Sequence, residues 1–421
     1  MYLTGTQALT RLPMLQKQRD TAAGLNTACF ISGYRGSPLG GLDKSLWEAR
    51  EFLQQNAIHF QPGVNEELGA TAVWGSQQTN LFPGARYDGV FAMWYGKGPG
   101  VDRSGDVFKH GNSAGVSPHG GVLVLAGDDH GCKSSTIAHQ SEHAFIAASM
   151  PVLNPANVQE ILDYGIIGWE LSRYSGCWVA LKTIAENVDS SAVVDVDPQR
   201  IQVTLPDDFE LPEDGVHIRW PDPPLAQEKR LNVYKIYAAR AFARANGLNK
   251  VMLDSPSPRL GIITTGKSYL DVRQALDDLG LDEALCAQVG LRVLKIGMSW
   301  PLEPVSVHGF AEGLDEILVV EEKRSIIEDQ LTGQLYNWPV GKRPRVVGEF
   351  DEQGQSLLPN LGELTPAMIA RVIARRLAPI YTSAAIEARL GFLEAKEKAL
   401  AARSYNTCLL YTSDAADDTP C

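Results

Sequence analysis

Ala28-Cys29-Phe30-Ile31-Ser32-Gly33-Tyr34-Arg35-Gly36-Ser37-Pro38-Leu39-Gly40-Gly41 is an apolar run that breaks into a glycine-rich loop. Leu42, Leu46, Ala49 and Leu53 then recur at helical spacing. The run Ala28–Ile31 predicts a strand covered on both faces, because it leaves no polar side for water. Runs of the same kind recur at Val90–Trp94, Val122–Leu125 and Trp178–Leu181. Amphipathic stretches lie between them, so the pattern is α/β with a doubly wound parallel sheet. The loop Gly33–Gly41 then falls at the carboxyl edge of that sheet, where such folds bind ligands. Its spacing is neither G-x-G-x-x-G nor a P-loop, so this loop carries no nucleotide fingerprint.

The 421 residues are 44% hydrophobic and 21% charged, which is globular and long enough for two or three domains. Lys and Arg number 38 against 50 Asp and Glu, a net charge of −12. That balance argues against nucleic acid or an anionic membrane as the main partner, since both need clustered positive charge. No apolar run reaches the length of a membrane span, and Met1–Asp20 lacks the pattern of a secretory signal. Cys29, Cys132, Cys177, Cys286, Cys408 and Cys421 form no C-x-x-C pair. Neither an iron–sulfur cluster held by this chain nor a disulfide scaffold is expected, and a reducing cytoplasm is the simplest compartment.

Residues 1–204 form the first expected domain. Pro206, Pro212, Pro221, Pro223 and Pro224 then block regular structure, and a helix is expected over about Ala226–Ala245. Residues 205–258 are therefore assigned as linker and connecting helix. A second, smaller α/β domain spans 259–350, with a strand and tight turn at Arg259–Gly266 and strands at Val293–Ile296 and Ile317–Val320. A helical extension covers 351–404. Residues 405–421 share no pattern with what precedes them and read like translated adapter sequence, so the natural chain is expected to continue past Arg403.

Candidate chemistry gathers after the expected strands. Asn65 suits a helix cap, with Glu66 and Glu67 in the first turn and small residues Gly69, Ala70, Ala72 and Gly75 behind them. A carboxylate there either serves the helix dipole or hydrogen-bonds a cofactor ring nitrogen. The loop Lys97-Gly98-Pro99-Gly100-Val101-Asp102-Arg103 carries two cations that could meet an anionic substrate, or is a surface loop. Gly127-Asp128-Asp129-His130-Gly131-Cys132-Lys133-Ser134-Ser135 places polar groups on the same edge. His139-Gln140-Ser141-Glu142-His143 matches H-x-x-E-H, which on a helix sets both imidazoles on one face for zinc, with Glu142 as base. A zinc hydrolase is the competing enzymatic reading, and a non-catalytic scaffold subunit is the third. The G-D-G of a magnesium–diphosphate site does not occur in these 421 residues.

Taken in order, Gly33–Pro38, Asn65-Glu66-Glu67, Lys97–Asp106 and Gly127–Ser135 resemble the pyrimidine-binding domain of 2-oxoacid:ferredoxin oxidoreductases. Leu260–Tyr269, Lys295–Met298, Trp300-Pro301-Leu302 and Val319–Glu322 resemble their transketolase C-terminal-like domain. The long fused indolepyruvate ferredoxin oxidoreductases are the nearest branch. In that family a glutamate bonds the aminopyrimidine of thiamine diphosphate, the cofactor attacks a 2-oxo carbon, and CO2 leaves. Electrons then pass to iron–sulfur centres and ferredoxin, and coenzyme A takes the acyl group. The resemblance implies Glu66 as the catalytic glutamate, with Gly36, Ser37, Asp128 and Ser134 toward the cofactor. It implies Ser37, Lys97 and Arg103 toward the 2-oxoacid, with an aryl substrate suggested by the branch and by Trp74, Trp94 and Tyr95. Magnesium, the iron–sulfur clusters and the diphosphate half of the site are expected in a missing region or a partner subunit, no metal ligands are expected here, and the chain alone is expected to be inactive. A homodimer is expected by analogy.

Overall fold

The computed structural model describes residues 1–402, so residues 405–421 lie outside the described part. Two compact units form: one from residues 1–129, 137–248 and 298–303, the other from 130–136, 249–297 and 304 onward.

The first unit holds a seven-stranded sheet. Its order is Met298–Trp300, Val152–Leu153, Trp178–Ile184, Val122–Asp128, Gly89–Lys97, Thr27–Gly33, Ile58–Phe60. All pairs are parallel except the edge pair of Met298–Trp300 with Val152–Leu153. Alternate residues of the central strands enter two separate cores. Phe91, Met93, Tyr95, Leu123, Leu125, Val179 and Leu181 pack on one face. Ala92, Trp94, Val122, Val124, Trp178 and Ala180 pack on the other. That division explains the unbroken apolar runs: with period-two alternation and helices on both faces, every position is inside. Helices Gly5–Ala22 and Val158–Ser175 cover the first face. Helices Glu66–Gln77 and Gly105–Ala114 contribute Ala70, Val73, Val107 and Phe108 to the second core.

The helical periodicity after Gly41 appears as two short helices, Leu42–Glu48 and Arg50–Gln55, parted at Ala49. Of residues 205–258, expected as linker and connecting helix, 205–248 belong to the first unit and 249–258 to the second. The physical reason lies in one helix face. Helix Ile236–Ala245 buries Ala239, Phe242 and Ala243 in the first core, and the Phe242 ring sits 5.8 Å from that of Tyr174. Prolines break local structure but do not prevent the segment after them from packing.

The second unit has a five-stranded sheet in the order Arg345–Val347, Glu316–Val320, Leu260–Thr265, Leu291–Ile296, Lys250–Leu253. Only the last strand runs antiparallel to its neighbour. The segment expected as a helical extension belongs to this core. Helix Pro366–Leu377 buries Ile369, Ile373 and Leu377, and Ile386 of helix Ala384–Ala401 joins them. Ser383 caps the last helix by accepting from the Ile386 N–H. No helix among the described residues is long and apolar enough to cross a membrane.

One close approach sets the position of everything that follows. Gly69 of the Glu66 helix lies against Gly33 at the end of its strand. A Cβ at Gly69 would fall 2.9 Å from both the Cα and the N of Gly33. Backbone atoms cannot step aside, so Gly69→Ala is expected to lower stability by about 1–3 kcal/mol, the usual range for overpacking. Denaturant unfolding of the variant against the parent measures it.

Candidate functional site

The carboxyl ends of the three central strands bring the candidate loops together. The loop after Gly33 runs through buried Gly36 and half-buried Ser37 to Pro38. A Cβ on Gly127 would lie 3.0 Å from the Pro38 Cδ, so this loop rests on the end of the neighbouring-but-one strand. Gly36 packs on the stem of Lys97, where a Cβ would stand 2.9 Å from the Lys97 Cβ. Lys97 is half-buried at the end of its strand, and Arg103 is exposed at the end of the short helix Gly98–Arg103.

Glu66 opens helix Glu66–Gln77. Asn65 caps it, its side chain accepting from the Leu68 N–H at 2.9 Å, as its position before two acids predicts. The Trp94 Nε1–H donates to the Glu66 carbonyl at 3.0 Å and ties the first turn to the sheet. The Glu66 side chain then lies along Gly100: a Cβ there would be 2.5 Å from the Glu66 Cγ and 3.0 Å from its Oε1. Glu67 is exposed. The two adjacent acids therefore differ: one is half-buried against a backbone wall, and the other faces water.

Behind this wall lies a chain of alternating charges. Asp128, at the end of its strand, is fully buried and accepts from the Ser141 N–H at 2.8 Å and from the Ser141 hydroxyl. The Lys182 Nζ stands 3.8 Å from Asp128 and donates to Glu142 at 2.5 Å. On the outer side, the His139 Nδ1 is 3.5 Å from the Asp128 Oδ1, and its Nε2 is 2.9 Å from the Asp102 Oδ2. Burial disfavours charge on the His139 ring, but hydrogen bonds to Asp128 and Asp102 outweigh it and push the imidazole up to about 9. The folded ring thus holds a proton that the unfolded ring, near 6.5, gives up first. Its stabilising contribution is complete below pH 6.5 and lost as pH rises through 9. His139→Gln is expected to flatten that part of the stability profile, read from unfolding midpoints between pH 6 and 9.5.

Several expectations change here. His139 and His143 do not share a helix face, because the helix begins only at Glu142. Ser141 caps it in position, and Lys182 holds the Glu142 carboxylate. Among the described residues no group of three or more His, Cys, Asp or Glu side chains converges as a metal would require. The zinc reading of His139, Glu142 and His143 therefore fails on geometry. Trp94 and Tyr95 are fully buried on opposite faces of the sheet, so they are core and not an aromatic pocket wall. Trp74 is half-buried, its ring stacked 6.1 Å from His110. Ser134 lies in residues 130–136, which pack with the second unit.

Two residues of the charge chain went without a role in the sequence reading. Asp102 is one of several polar residues in a glycine-rich loop, with nothing to single it out. Lys182 had a signal: a lone cation in the run Trp178-Val179-Ala180-Leu181-Lys182-Thr183-Ile184 has no exposed face to occupy, so it demands a buried partner.

The family model for the indolepyruvate ferredoxin oxidoreductase middle domain matches residues 249–403. The "Indolepyruvate oxidoreductase subunit IorA" of Methanothermobacter marburgensis is 27% identical over 366 residues, which is 86% of this chain and 54% of that protein. The chain is thus similar to indolepyruvate ferredoxin oxidoreductases. The protein of the same name from Thermococcus kodakarensis is 26% identical over 89% of this chain and 52% of its own length. The chain thus spans about half the length of the curated relatives it matches. A solved 2-oxoglutarate:ferredoxin oxidoreductase from Magnetococcus marinus, with 2-oxoglutarate, coenzyme A and succinyl-CoA bound, superposes with a TM-score of 0.63 at 16% identity. That match covers 90% of this chain and 65% of that one. An inactive β4 tetramer of a split-gene transketolase gives 0.53 at 13% identity, over 90% and 99%. These two likenesses bear on the fold, which is the α/β arrangement expected from the sequence.

Proposed function

We propose that this chain supplies the pyrimidine-binding half of a thiamine diphosphate site in a 2-oxoacid:ferredoxin oxidoreductase, acting on an aryl 2-oxoacid such as indolepyruvate. The observation that carries it is Glu66: a carboxylate at the carboxyl edge of a parallel sheet, on a helix turn whose Glu66 backbone carbonyl accepts from Trp94, with its side chain walled by Gly100. A half-buried carboxylate with a fixed backbone wall fits the aminopyrimidine ring of the cofactor, which needs one acceptor at one place. When bound, thiamine diphosphate supplies the nucleophilic carbon and the electron sink for decarboxylation.

In this reading Glu66 accepts a hydrogen bond from the pyrimidine ring and keeps the proton there. Ser37 and Gly36 approach from the neighbouring loop, and Lys97 and Arg103 attract the substrate carboxylate. Asp128 orders the inner wall through Ser141, and Ser134 belongs to the same assignment. Magnesium, the diphosphate contacts and the iron–sulfur clusters are assigned to another segment or a partner subunit, as the word "subunit" in the relatives' names supports. Coenzyme A and ferredoxin act on that complete, dimeric assembly.

The test is dye reduction. The complete enzyme is expected to reduce an electron-accepting dye with indolepyruvate only when thiamine diphosphate and coenzyme A are present, and this chain alone is expected to reduce none. Dye reduction by the chain alone overturns the half-site assignment. A complete enzyme indifferent to thiamine diphosphate overturns the cofactor.

A further inference from the structure

We propose that His139 is a positioning residue for Glu66, acting through Asp102 and the short helix Gly98–Arg103. The inference rests on the reading of Glu66 given above and concerns how its side chain is held.

Three contacts carry it, all within the first unit. The His139 Nε2–H donates to the Asp102 Oδ2 at 2.9 Å, which fastens the middle of the short helix. The His139 ring also lies flush with the start of that helix: a Cβ on Gly98 would stand 2.2 Å from Nδ1 and 2.3 Å from Cγ. Gly100, between these two points, is the residue against which the Glu66 side chain rests. The helix has six residues and no side-chain cap, so its own hydrogen bonds hold it weakly. A ring clamped at one end by packing and at the other by an ion pair compensates.

The ring is in turn held from behind. Asp128 faces Nδ1 at 3.5 Å, and the Ser141 hydroxyl also lies 3.5 Å from Nδ1. Asp128 is fixed by Ser141 and faces Lys182, which pairs with Glu142. The charges alternate from Glu142 through Lys182, Asp128 and His139 to Asp102, so each group holds its neighbour. The series runs from Glu142, buried at the start of its helix, to the exposed Asp102 carboxylate, with the Glu66 wall at its outer end.

A displaced wall leaves Glu66 free to swing, and a misplacement of about 1 Å can cost as much as a hundredfold in rate. His139→Ala and Asp102→Asn in the complete enzyme are each expected to lower kcat roughly 10- to 100-fold, with KM for the 2-oxoacid changed less than about threefold. The pair should lose no more than either alone, because both act through one helix. Asp102 is exposed, so its variant keeps the fold even where His139→Ala does not. The second readout is the near-ultraviolet circular dichroism of bound thiamine diphosphate, which reports the tautomer of its aminopyrimidine. Both variants should change that signal at saturating cofactor. An unchanged signal, an effect confined to KM, or additive losses overturns the proposal. If Glu66→Gln itself leaves turnover intact, the underlying reading fails first, and the two failures are told apart by that control.

Discussion

Glu66→Gln in the complete enzyme is expected to cost roughly a hundred- to ten-thousand-fold in turnover, the range of a lost acid–base partner. Folding should barely notice. The side chain is half-buried in the first turn of its helix, and the amide keeps its shape against Gly100. What folding loses is one negative charge at a helix N-terminus, about 0.3–1 kcal/mol. The control is Glu67→Gln, which removes the same charge from the same turn at an exposed position. Steady-state kinetics should separate the two variants by orders of magnitude, while their thermal unfolding midpoints stay together. Equal turnover in both would reject Glu66 as the cofactor's carboxylate and leave the helix dipole as its only role.

Lys182→Met is expected to have the largest effect on stability. Lys182 is 4% exposed and stands between Glu142 at 2.5 Å and Asp128 at 3.8 Å, themselves 5% and 0% exposed. Removing the cation leaves two carboxylates close together with little water to solvate them. Breaking a buried ion pair from one side costs about 3–5 kcal/mol. Restoring the balance should recover part of it: Lys182→Met combined with Glu142→Gln keeps Asp128 with its Ser141 partners and removes the second charge. Urea unfolding of the single and double variants gives the coupling. A single variant within about 1 kcal/mol of the parent would show that the pair is solvated in solution.

These effects come from residues that differ in how far the sequence revealed them. The strands were legible because parallel strands covered on both faces leave a signature that needs no tertiary information. Val122–Leu125 reads apolar throughout, and its residues do alternate between two cores. Asn65 before Glu66 and Glu67 was legible for a similar reason, since a cap and a dipole are satisfied within one turn. The H-x-x-E-H pattern misled because spacing implies a shared face only inside a helix. Here the helix starts at Glu142, so His139 is aimed by the loop before it.

Local chemistry determined the order of elements, their type and the position of the candidate edge, because each depends on a few neighbouring residues. Composition and spacing treat Glu66 and Glu67 alike, since both are acids in the same first turn, and only the family resemblance favoured Glu66. Tertiary structure distinguishes their surroundings, by setting Gly100 against one and water against the other. It also decided that the proline-rich segment ends in a helix packed on the first core, and that His139 pairs with Asp102, 37 residues away. Such choices depend on which distant groups share a low-dielectric space, where charge must be matched by charge. No local spacing encodes that requirement.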